Sequence, residues 1–326
     1  MKRFIIITTI NEKTKAISEF EKLKDWHLVI IGDKKSKPIE NSQNLTFLSV
    51  DDQKKLGFSI VDKLPYNHYT RKNIGYLYAI REGADVIYDT DDDNTPYSYW
   101  GLERFQCKNL IQGENNFVNI YNYFSEELIW PRGFPLDMVS QREMLKVSTT
   151  SPPLKVGVWQ GLADLDPDVD AIYRLIFNKP VTFERKEPIV LRSGKYCPFN
   201  SQNTFWTKEA FPFLYLPATT SFRFTDILRG FIAQRLLWVE GMHLGFHEAT
   251  VYQERNAHDF MKDFKDEFEC YLNTRKVIES LQTLDFSESP SANLALAYQG
   301  LHKEQLISSD ELTILDAWRS DFEHIY

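Results

Sequence analysis

Four aspartates stand close together in the first third of the chain, at Asp89 and in the run Asp91-Asp92-Asp93. Carboxylates on adjacent residues repel one another, and their pKa values rise unless a cation or basic groups lie among them. Hard divalent cations take carboxylate oxygens, and Mg²⁺ or Mn²⁺ commonly bridges protein carboxylates to substrate phosphates. The run therefore predicts a site for Mn²⁺ or Mg²⁺. A solvated acidic turn is the alternative.

A basic segment, Arg71-Lys72-Asn73, stands at the predicted start of the helix before the aspartates. Helix N-termini favour anions, and a guanidinium pairs well with phosphate oxygens. Asp33 follows an apolar run, and from this position a carboxylate can accept hydrogen bonds from a ribose or a base. We therefore expect Arg71, Asn73 and Asp33 to bind a nucleotide. The alternatives are a basic helix surface for the first two and a capping or turn aspartate for the third.

Asp226 stands at the predicted start of a later helix, where a carboxylate commonly caps the first turn. If it faces a sugar, it can instead act as a general base that removes a proton from an acceptor hydroxyl. Two polar segments offer further groups for a sugar site, although a hydrated loop is the alternative for the first. They are the alternating aspartates Asp164, Asp166, Asp168 and Asp170, and the amides Asn200, Gln202 and Asn203, which suit sugar hydroxyls. Of these, we expect Asp168, Asp170 and the three amides to contact the substrate.

Short apolar runs alternate with helical patterns over residues 4–93. The runs are 4–8, 28–31, 46–50 and 86–88, and the helical patterns are 16–23 and 69–84. Such alternation predicts an α/β fold with a parallel, Rossmann-like sheet, in which ligands bind beyond the carboxyl ends of the strands. Thr8, Thr9, Asp33 and the aspartate run all fall at that edge.

The remaining chain divides by composition. Residues 100–225 hold many prolines and are predicted to be rich in loops, after which a helix begins at Thr225 or Asp226. From residue 257 the sequence is charged and helical, with Ser289-Pro290 as a helix start and Ser308 with Glu311 as a capping box. We predict a catalytic domain over 1–256 and a helical C-terminal extension over 257–326.

The bulk composition excludes several classes of protein. The chain has 326 residues, of which 43% are hydrophobic, as expected for a well-packed globular protein. Its net charge of −8 argues against nucleic acid as a partner. Three scattered cysteines do not suggest a disulfide framework, and no apolar run is long enough for a membrane span. We expect a cytoplasmic protein that can also work at the membrane periphery.

Collinear motifs over residues 4–255 resemble the plant STELLO proteins, a family also known as DUF288. The tail after residue 257 lies outside this resemblance. The motifs include Thr8-Thr9-Ile10-Asn11, Arg71-Lys72-Asn73-Ile74-Gly75, Asp89-Thr90-Asp91-Asp92-Asp93-Asn94, Trp130-Pro131-Arg132-Gly133-Phe134-Pro135, Pro198-Phe199-Asn200-Ser201-Gln202-Asn203 and Asp226-Ile227-Leu228-Arg229-Gly230. We accordingly add Thr8, Thr9 and Asn11 to the nucleotide-binding set, together with Asp91 and Asp92, and Arg229 to the substrate-binding set.

STELLO domains are in turn similar to the reversibly glycosylated polypeptides, which include UDP-arabinopyranose mutases. These proteins share the triple aspartate, the run Pro167-Asp168-Val169-Asp170-Ala171 and an aspartate matching Asp226. The resemblance implies a GT-A fold, a UDP-sugar donor, Mn²⁺ or Mg²⁺, and Asp91 with Asp93 as a DxD pair, one carboxylate on the ribose and one on the metal. The chain departs from those relatives near residue 253. Where they carry a histidine, it reads Val251-Tyr252-Gln253-Glu254-Arg255, so His247 or His258 would have to substitute as the third metal ligand.

The residues and the resemblance together predict a glycosyltransferase. It would move a sugar from a nucleotide sugar, with UDP as the expected nucleotide, to a hydroxyl of a carbohydrate or glycolipid acceptor. Asp226 as the base would give inversion, and the tail could support a homo-oligomer. One alternative is a nucleotide-sugar mutase, which needs no acceptor. The other is a non-catalytic scaffold that organises other glycosyltransferases.

Overall fold

The first ninety residues form four parallel strands in the order β3, β2, β1, β4, with helices between them. The computed structural model describes residues 1–101, 105–254 and 259–326. The strands are β1 (Arg3–Thr8), β2 (His27–Ile31), β3 (Leu45–Leu48) and β4 (Val86–Thr90), and the helices are α1 (Lys15–Glu21), α2 (Val50–Lys55) and α3 (Lys72–Arg81), the last preceded by a 3-10 turn at Tyr69–Arg71. The predicted α/β fold with a parallel beginning is confirmed.

The predicted third strand is too long by two residues. It ends at Leu48, because Ser49 caps α2 and forms a capping box with Asp52. The side chain of Ser49 accepts a hydrogen bond from the Asp52 N–H, and the Asp52 carboxylate accepts one from the Ser49 N–H. This reciprocal pair starts a helix where the apolar pattern alone continues the strand.

The prediction of a loop-rich middle segment is confirmed only in part, because most of its described residues are irregular but it also forms strands that were not predicted. Within the described residues from Asn94 to Thr207 the chain adds five strands to the sheet, and two short α-helices lie between them. They are β5 (Asn94–Pro96), β6 (Gln106–Gln112), α4 (Tyr121–Phe124), β7 (Lys146–Asp164), α5 (Ala171–Ile176), β8 (Ile189–Leu191) and β9 (Asn203–Thr207). Pro152 and Pro153 lie inside β7, where its register with β6 shifts. Because a proline cannot donate to the ladder, it is tolerated at such an irregularity.

Two later strands bring distant polar residues to the end of β4. β9 runs antiparallel to β4, so Asn203 lies opposite Thr90. After β9, helix α6 (Thr225–Val239) crosses back, and β10 (His243–Gln253) runs parallel to the second half of β7. Gln253 at the end of β10 pairs with Asn94 on β5, next to the aspartate run. The sheet topology thus gathers segments around residues 91, 200 and 253.

The C-terminal helices share the core of the α/β part. They are α7 (Phe260–Asp266), α8 (Phe268–Thr283), α9 (Pro290–Lys303) and α10 (Ser309–Ile325). Leu281, Tyr298 and Trp318 are buried in one cluster with residues of α3 and α6. Ser289 caps α9 with Pro290 in its first turn, as predicted. Among the described residues, no helix is both long and apolar enough to cross a membrane.

The predicted capping box of Ser308 and Glu311 is wrong. The Ser308 side chain makes no capping bond to α10. Glu311 is fully buried and accepts hydrogen bonds from the N–H groups of Ala218 (2.9 Å) and Thr219 (2.7 Å), and from the hydroxyl of Tyr215. A tertiary contact to the segment before α6 therefore takes the place of the local cap.

Candidate active site

Asp92 is held by the loop that follows β1. Its carboxylate accepts hydrogen bonds from the Thr9 hydroxyl and from Asn11 Nδ2 (2.9 Å), and its carbonyl accepts one from Thr14 Oγ1 (2.5 Å). The structure thus brings together Thr9, Asn11 and Asp92 of the predicted nucleotide-binding set. Thr8 precedes them as the last residue of β1. Hydroxyl, amide and carboxylate groups at the carboxyl edge of a parallel sheet can bind a nucleotide.

Lys72 supplies the positive charge among the aspartates. Its Nζ lies 2.9 Å from Asp89 Oδ1 and 2.8 Å from Asp91 Oδ1, and both Lys72 and Asp89 are fully buried. Burial alone would lower the pKa of Lys72, but the two carboxylates outweigh it and raise that pKa. Sequence reasoning chose Arg71 and Asn73 from this segment and missed Lys72. Only the rotation of α3 decides which of the three residues faces β4.

The pKa of the Asp91 carboxyl is raised above its usual value. Burial raises its pKa to about 7, and the charges of Asp93 and Asp89 add to this effect, while Lys72 opposes it. The side chain nevertheless keeps 43% of its surface exposed, so the carboxylate can be reached from the cleft. A carboxylic acid that titrates near neutrality can exchange its proton for a metal ion or another cation.

Asp93 lies between two amides. Its Oδ2 accepts a hydrogen bond from Gln253 Nε2 (2.7 Å), and its Oδ1 accepts one from Asn94 Nδ2 (3.1 Å). Asn94 is fully buried, and its Oδ1 has no hydrogen-bond partner within the described part of the chain. His247, one suggested substitute ligand, is buried between Trp159 and Phe205 and donates from Nδ1 to the Glu248 carbonyl (2.9 Å). His258, the other, lies outside the described residues.

These oxygen groups fit a magnesium or manganese ion that is shared with a ligand. Residues 1–101, 105–254 and 259–326 contain no group of three or more His, Cys, Asp or Glu side chains able to hold a metal by themselves. Mg²⁺ is usually bound by one or two carboxylates, with substrate phosphates and waters completing the shell. Asp91 and Asp93, with the unpartnered Asn94 oxygen beside them, match that pattern in chemistry.

A second charged cluster joins Arg132 to two predicted site residues. The guanidinium donates from Nε and Nη2 to Asp168 (2.9 and 2.8 Å), and from Nη1 and Nη2 to Asp226 (3.1 and 3.0 Å). All three side chains are largely buried. Burial raises the pKa of Asp168, but Arg132 outweighs it and holds that pKa well below its usual range. Arg132 was missed as a site residue, since no local pattern pairs it with aspartates so distant in sequence.

Asp226 does not cap α6, contrary to one of its two predicted roles. The N-cap position is Phe224, and Asp226 lies within the first turn. Besides Arg132, its carboxylate accepts hydrogen bonds from the N–H groups of Ser201 (3.2 Å) and Ile227 (3.1 Å), and from the Tyr69 hydroxyl (3.4 Å). Five donors therefore surround this carboxylate.

One small cavity connects the two clusters. Its volume is about 70 Å³, and its walls include Asp91 from the first cluster and Asp168 and Asp226 from the second. Asn200 donates to Asp168 (2.8 Å), and Gln202 donates to Gln253 (2.7 Å), so two of the predicted amides reach this space. The lining residues are Asp91, Arg132, Asp168, Arg174, Asn200, Gln202, Arg223, Asp226 and Gln253.

Comparison with known proteins identifies relatives of this chain. A family model described as STELLO glycosyltransferases matches residues 223–326. Probable glycosyltransferase STELLO2 of Arabidopsis thaliana is 30% identical over an alignment of 299 positions that covers 86% of this chain and 39% of the relative. Probable glycosyltransferase STELLO1 of the same plant is 28% identical over an alignment of 347 positions that covers 98% of this chain and 44% of the relative. The predicted relationship to the STELLO family is confirmed.

The STELLO relationship reaches further along the chain than the sequence motifs indicate. The tail after residue 257, which was predicted to lie outside the resemblance, falls within the family model. The chain spans about two fifths of the length of the two STELLO relatives. Among solved structures, a crystal structure of a mycobacterial protein aligns with a TM-score of 0.42 and 7% identity, over 88% of this chain and 76% of that one.

Several residues of the STELLO-like motifs lie behind the cavity and support it. Arg229 is buried and donates to Asp89 Oδ2 (3.0 Å) and to Ser201 Oγ (2.8 Å). It therefore supports the residues around the cavity from the protein interior. Asn203 is also buried and donates to the Leu162 carbonyl (2.8 Å). Asp170 caps α5 and accepts a hydrogen bond from Trp130 Nε1 (2.6 Å).

Three of the residues predicted to bind a nucleotide, Arg71, Asn73 and Asp33, form hydrogen bonds with other protein groups. Arg71 is buried and donates from Nε (3.0 Å) and Nη2 (2.5 Å) to Gln53 Oε1. Asn73 forms two hydrogen bonds with the backbone of Leu216. Asp33 accepts hydrogen bonds from the N–H groups of Lys34 (2.7 Å) and His68 (3.3 Å). The structure does not bring Arg71 or Asn73 to the cavity, and a ligand role for them stays a prediction.

Proposed function

We propose that this chain is a glycosyltransferase domain of the GT-A type. It would transfer a sugar from a nucleotide sugar, with UDP as the expected nucleotide, to a hydroxyl of a carbohydrate or glycolipid acceptor. One observation carries the proposal. Two charged clusters, one rich in aspartates at the end of β4 and one built on Arg132, open into the same cavity. Such a pair suits a reaction with an anionic leaving group on one side and a hydroxyl nucleophile on the other.

The aspartate cluster is the donor side in this proposal. A bound Mn²⁺ or Mg²⁺ would neutralise the charge that develops on the leaving diphosphate. Asp91 and Asp93 would hold that ion, while Thr9 and Asn11 orient Asp92 toward the nucleotide. The ion pair with Lys72 fixes the position of the Asp91 carboxylate. The carboxylates of Asp91, Asp92 and Asp93 are adjacent in sequence, but these contacts point them in different directions.

The Arg132 cluster is the acceptor side. Asp226 is the proposed base, which gives an inverting displacement. A carboxylate has about four lone-pair positions, and five donors already surround Asp226. The Tyr69 hydroxyl makes the longest of these contacts, at 3.4 Å, so an acceptor hydroxyl would displace it first. Arg132 fixes the orientation of this carboxylate through two hydrogen bonds.

The same crowding of Asp226 favours one second candidate, a non-catalytic scaffold. If none of the five donors can leave, the carboxylate cannot take a proton, and the domain would bind a nucleotide sugar without turning it over. Such a protein would use its sugar-nucleotide site only to organise partner enzymes.

A screen of nucleotide sugars tests the proposal. Each of a panel of UDP-, GDP- and CDP-sugars would be added with and without Mn²⁺, and thermal stabilisation and donor hydrolysis would be measured. We expect Mn²⁺-dependent stabilisation and slow hydrolysis with at least one UDP-sugar. Stabilisation with no hydrolysis or transfer would support the scaffold. No stabilisation by any nucleotide sugar would contradict both functions.

A further inference from the structure

An exposed aromatic group stands beside Asp226. The side chain of Phe222 keeps 49% of its surface exposed, although the neighbouring Arg223 and Phe224 are turned inward. Its ring centroid lies 4.7 Å from that of Tyr69 and 5.0 Å from that of His68, with both contacts edge to face. Tyr69 and His68 are themselves stacked at 5.4 Å. We call Phe222, Tyr69 and His68 the aromatic rim.

The aromatic rim is held in place by hydrogen bonds on both sides. The Tyr69 hydroxyl shares its one proton between the Phe222 carbonyl (3.1 Å) and the Asp226 carboxylate (3.4 Å), and it accepts a hydrogen bond from the Asp226 N–H (3.2 Å). The His68 N–H donates to Asp33 (3.3 Å). The rim therefore connects directly to the carboxylate that lines the cavity.

The loop that carries Phe222 is fixed by three carboxylates from the C-terminal helices. Glu311 accepts hydrogen bonds from the N–H groups of residues 218 and 219, Glu269 accepts one from the Ser221 N–H (2.8 Å), and Glu267 pairs with Arg223 (2.7 Å). A side chain on a mobile loop could fold inward and cover its apolar surface. Because this loop is anchored on each side of residue 222, the exposure of Phe222 is built into the fold.

We propose that the aromatic rim is a subsite that stacks a pyranose ring of the acceptor, with Phe222 as its main contact. The inference rests on the proposed function. A pyranose has one face of C–H groups and a periphery of hydroxyls. The C–H face complements the negative face of an aromatic ring, and a hydroxyl can then reach Asp226 at the edge of the stack.

The charge of the rim agrees with a neutral ligand. Burial lowers the pKa of His68 to about 4, so all three rings are uncharged at neutral pH. The carboxylate of Asp33 faces His68, and Asp226 lies beyond Tyr69. A nucleobase is the other flat ligand that could stack here. Of the expected nucleotide contacts, Thr9, Asn11 and Asp92 form one group where the ends of β1 and β4 meet, whereas Asp33 accepts the His68 N–H, so the test has to separate an acceptor sugar from a nucleobase.

Variants of Phe222 test the inference by direct binding. The probes are hexasaccharides of β-1,4-linked glucose, mannose and xylose, observed by saturation-transfer NMR with the protein aromatic protons irradiated, in the presence of Mn²⁺ and UDP. We expect at least one probe to bind wild type, and Phe222→Ala to weaken that binding by roughly tenfold, the usual size of a lost aromatic contact. Phe222→Tyr should restore it. Tyr99→Ala is the matched control, since Tyr99 is a ring of similar exposure (48%) that packs on Tyr97.

Binding of UDP with Mn²⁺, measured by calorimetry in the same variants, separates the inferred acceptor subsite from the proposed function. The inference predicts that it stays at the wild-type value in Phe222→Ala. A parallel loss of UDP affinity would assign the rim to the nucleobase and overturn the inference. Equal hexasaccharide binding by Phe222→Ala and wild type, or no binding of any hexasaccharide by a protein that binds UDP, would also overturn it while the donor site stands. Failure of wild type to bind UDP would instead contradict the proposed function.

Discussion

At the scale of single residues, Asp91 makes the donor side sensitive to pH. Its pKa is raised to about 7, so in the folded protein the ionised form is disfavoured relative to an exposed aspartate. Without a metal, the contribution of Asp91 to stability is therefore greatest in acid and is lost as the pH rises through about 7. A bound cation reverses this sign, because it favours the ionised carboxylate.

We expect binding of Mn²⁺ with UDP to weaken as the pH falls below 7. Proton competition at one carboxylate should reduce the affinity by up to about tenfold per pH unit between pH 7 and 5. Calorimetric titrations at a series of pH values, compared with the same series for Asp91→Asn, would measure this. An affinity that is flat over the range, or a slope that persists in Asp91→Asn, would exclude Asp91 as the titrating ligand.

The Arg132 cluster should behave as one energetic unit. Replacing Arg132 by methionine leaves Asp168 and Asp226 buried without their cation, and should cost about 3–5 kcal/mol of the free energy of unfolding. Asp226→Asn should cost about 1–3 kcal/mol, because the carboxylate is an ion-pair partner and not a helix cap. Denaturant unfolding of both single variants and the double variant would show a coupling energy, with the double variant less destabilised than the sum.

The matched control for this cycle is Arg275→Met. Arg275 also pairs with an aspartate, Asp137, at 2.8 Å, but the pair is exposed. Its loss should change stability by no more than about 1 kcal/mol. A similar effect of Arg132→Met and Arg275→Met would mean that burial adds nothing to the Arg132 cluster.

Which residues could be predicted depends on whether their partners are local. The aspartate run and Asp226 stand out in the sequence, and the structure places Asp91, Asp168, Asn200, Gln202 and Asp226 around one cavity. Arg132 and Gln253 line the same cavity and Lys72 pairs with Asp91 in its wall, but each of the three has a partner at least seventeen residues away. The orientation of α3 and the register of β10 determine these contacts, and neither is encoded in residue types alone.

At the scale of elements, the same limit applies to strands with irregular pairing. The four parallel strands are continuous apolar runs, so their positions were predictable. The position of β7 was not predictable in this way, since β7 pairs with β6 along one half and with β9 and β10 along the other. Its prolines lie at the register shift within its pairing with β6, where a sequence pattern indicates a loop.

Helix α10 contributes to the acceptor side through Glu311. Glu311→Gln should cost about 1–3 kcal/mol, because it weakens charge-assisted hydrogen bonds to a buried backbone segment. Amide hydrogen exchange should rise over residues 218–224. Glu323→Gln in the same helix is the control, since Glu323 is exposed and should change neither quantity. Unaltered exchange in Glu311→Gln would show that the loop is fixed by other contacts.

At the scale of the whole molecule, the predicted division at residue 256 crosses a continuous core. Leu281, Tyr298 and Trp318 pack in the same cluster as α3 and α6, and Glu267, Glu269 and Glu311 hold the loop before α6. We therefore expect residues 1–256 expressed alone to lack a cooperative thermal transition, while the full chain unfolds in one step. A truncated protein that melts cooperatively and binds UDP would show that the extension is a separate unit.

The central claim is that Asp91 and Asp93 bind the diphosphate of a nucleotide sugar through a divalent cation. Calorimetric titration of UDP into wild type, Asp93→Asn and Glu254→Gln, each with and without Mn²⁺, tests it most directly. Glu254 is the control, an exposed acid one residue after Gln253 that pairs only weakly with Lys15 at 3.3 Å. The account predicts Mn²⁺-dependent binding that Asp93→Asn abolishes and Glu254→Gln retains, with all three proteins folded. Binding of UDP that is independent of Mn²⁺, or unchanged in Asp93→Asn, would contradict it.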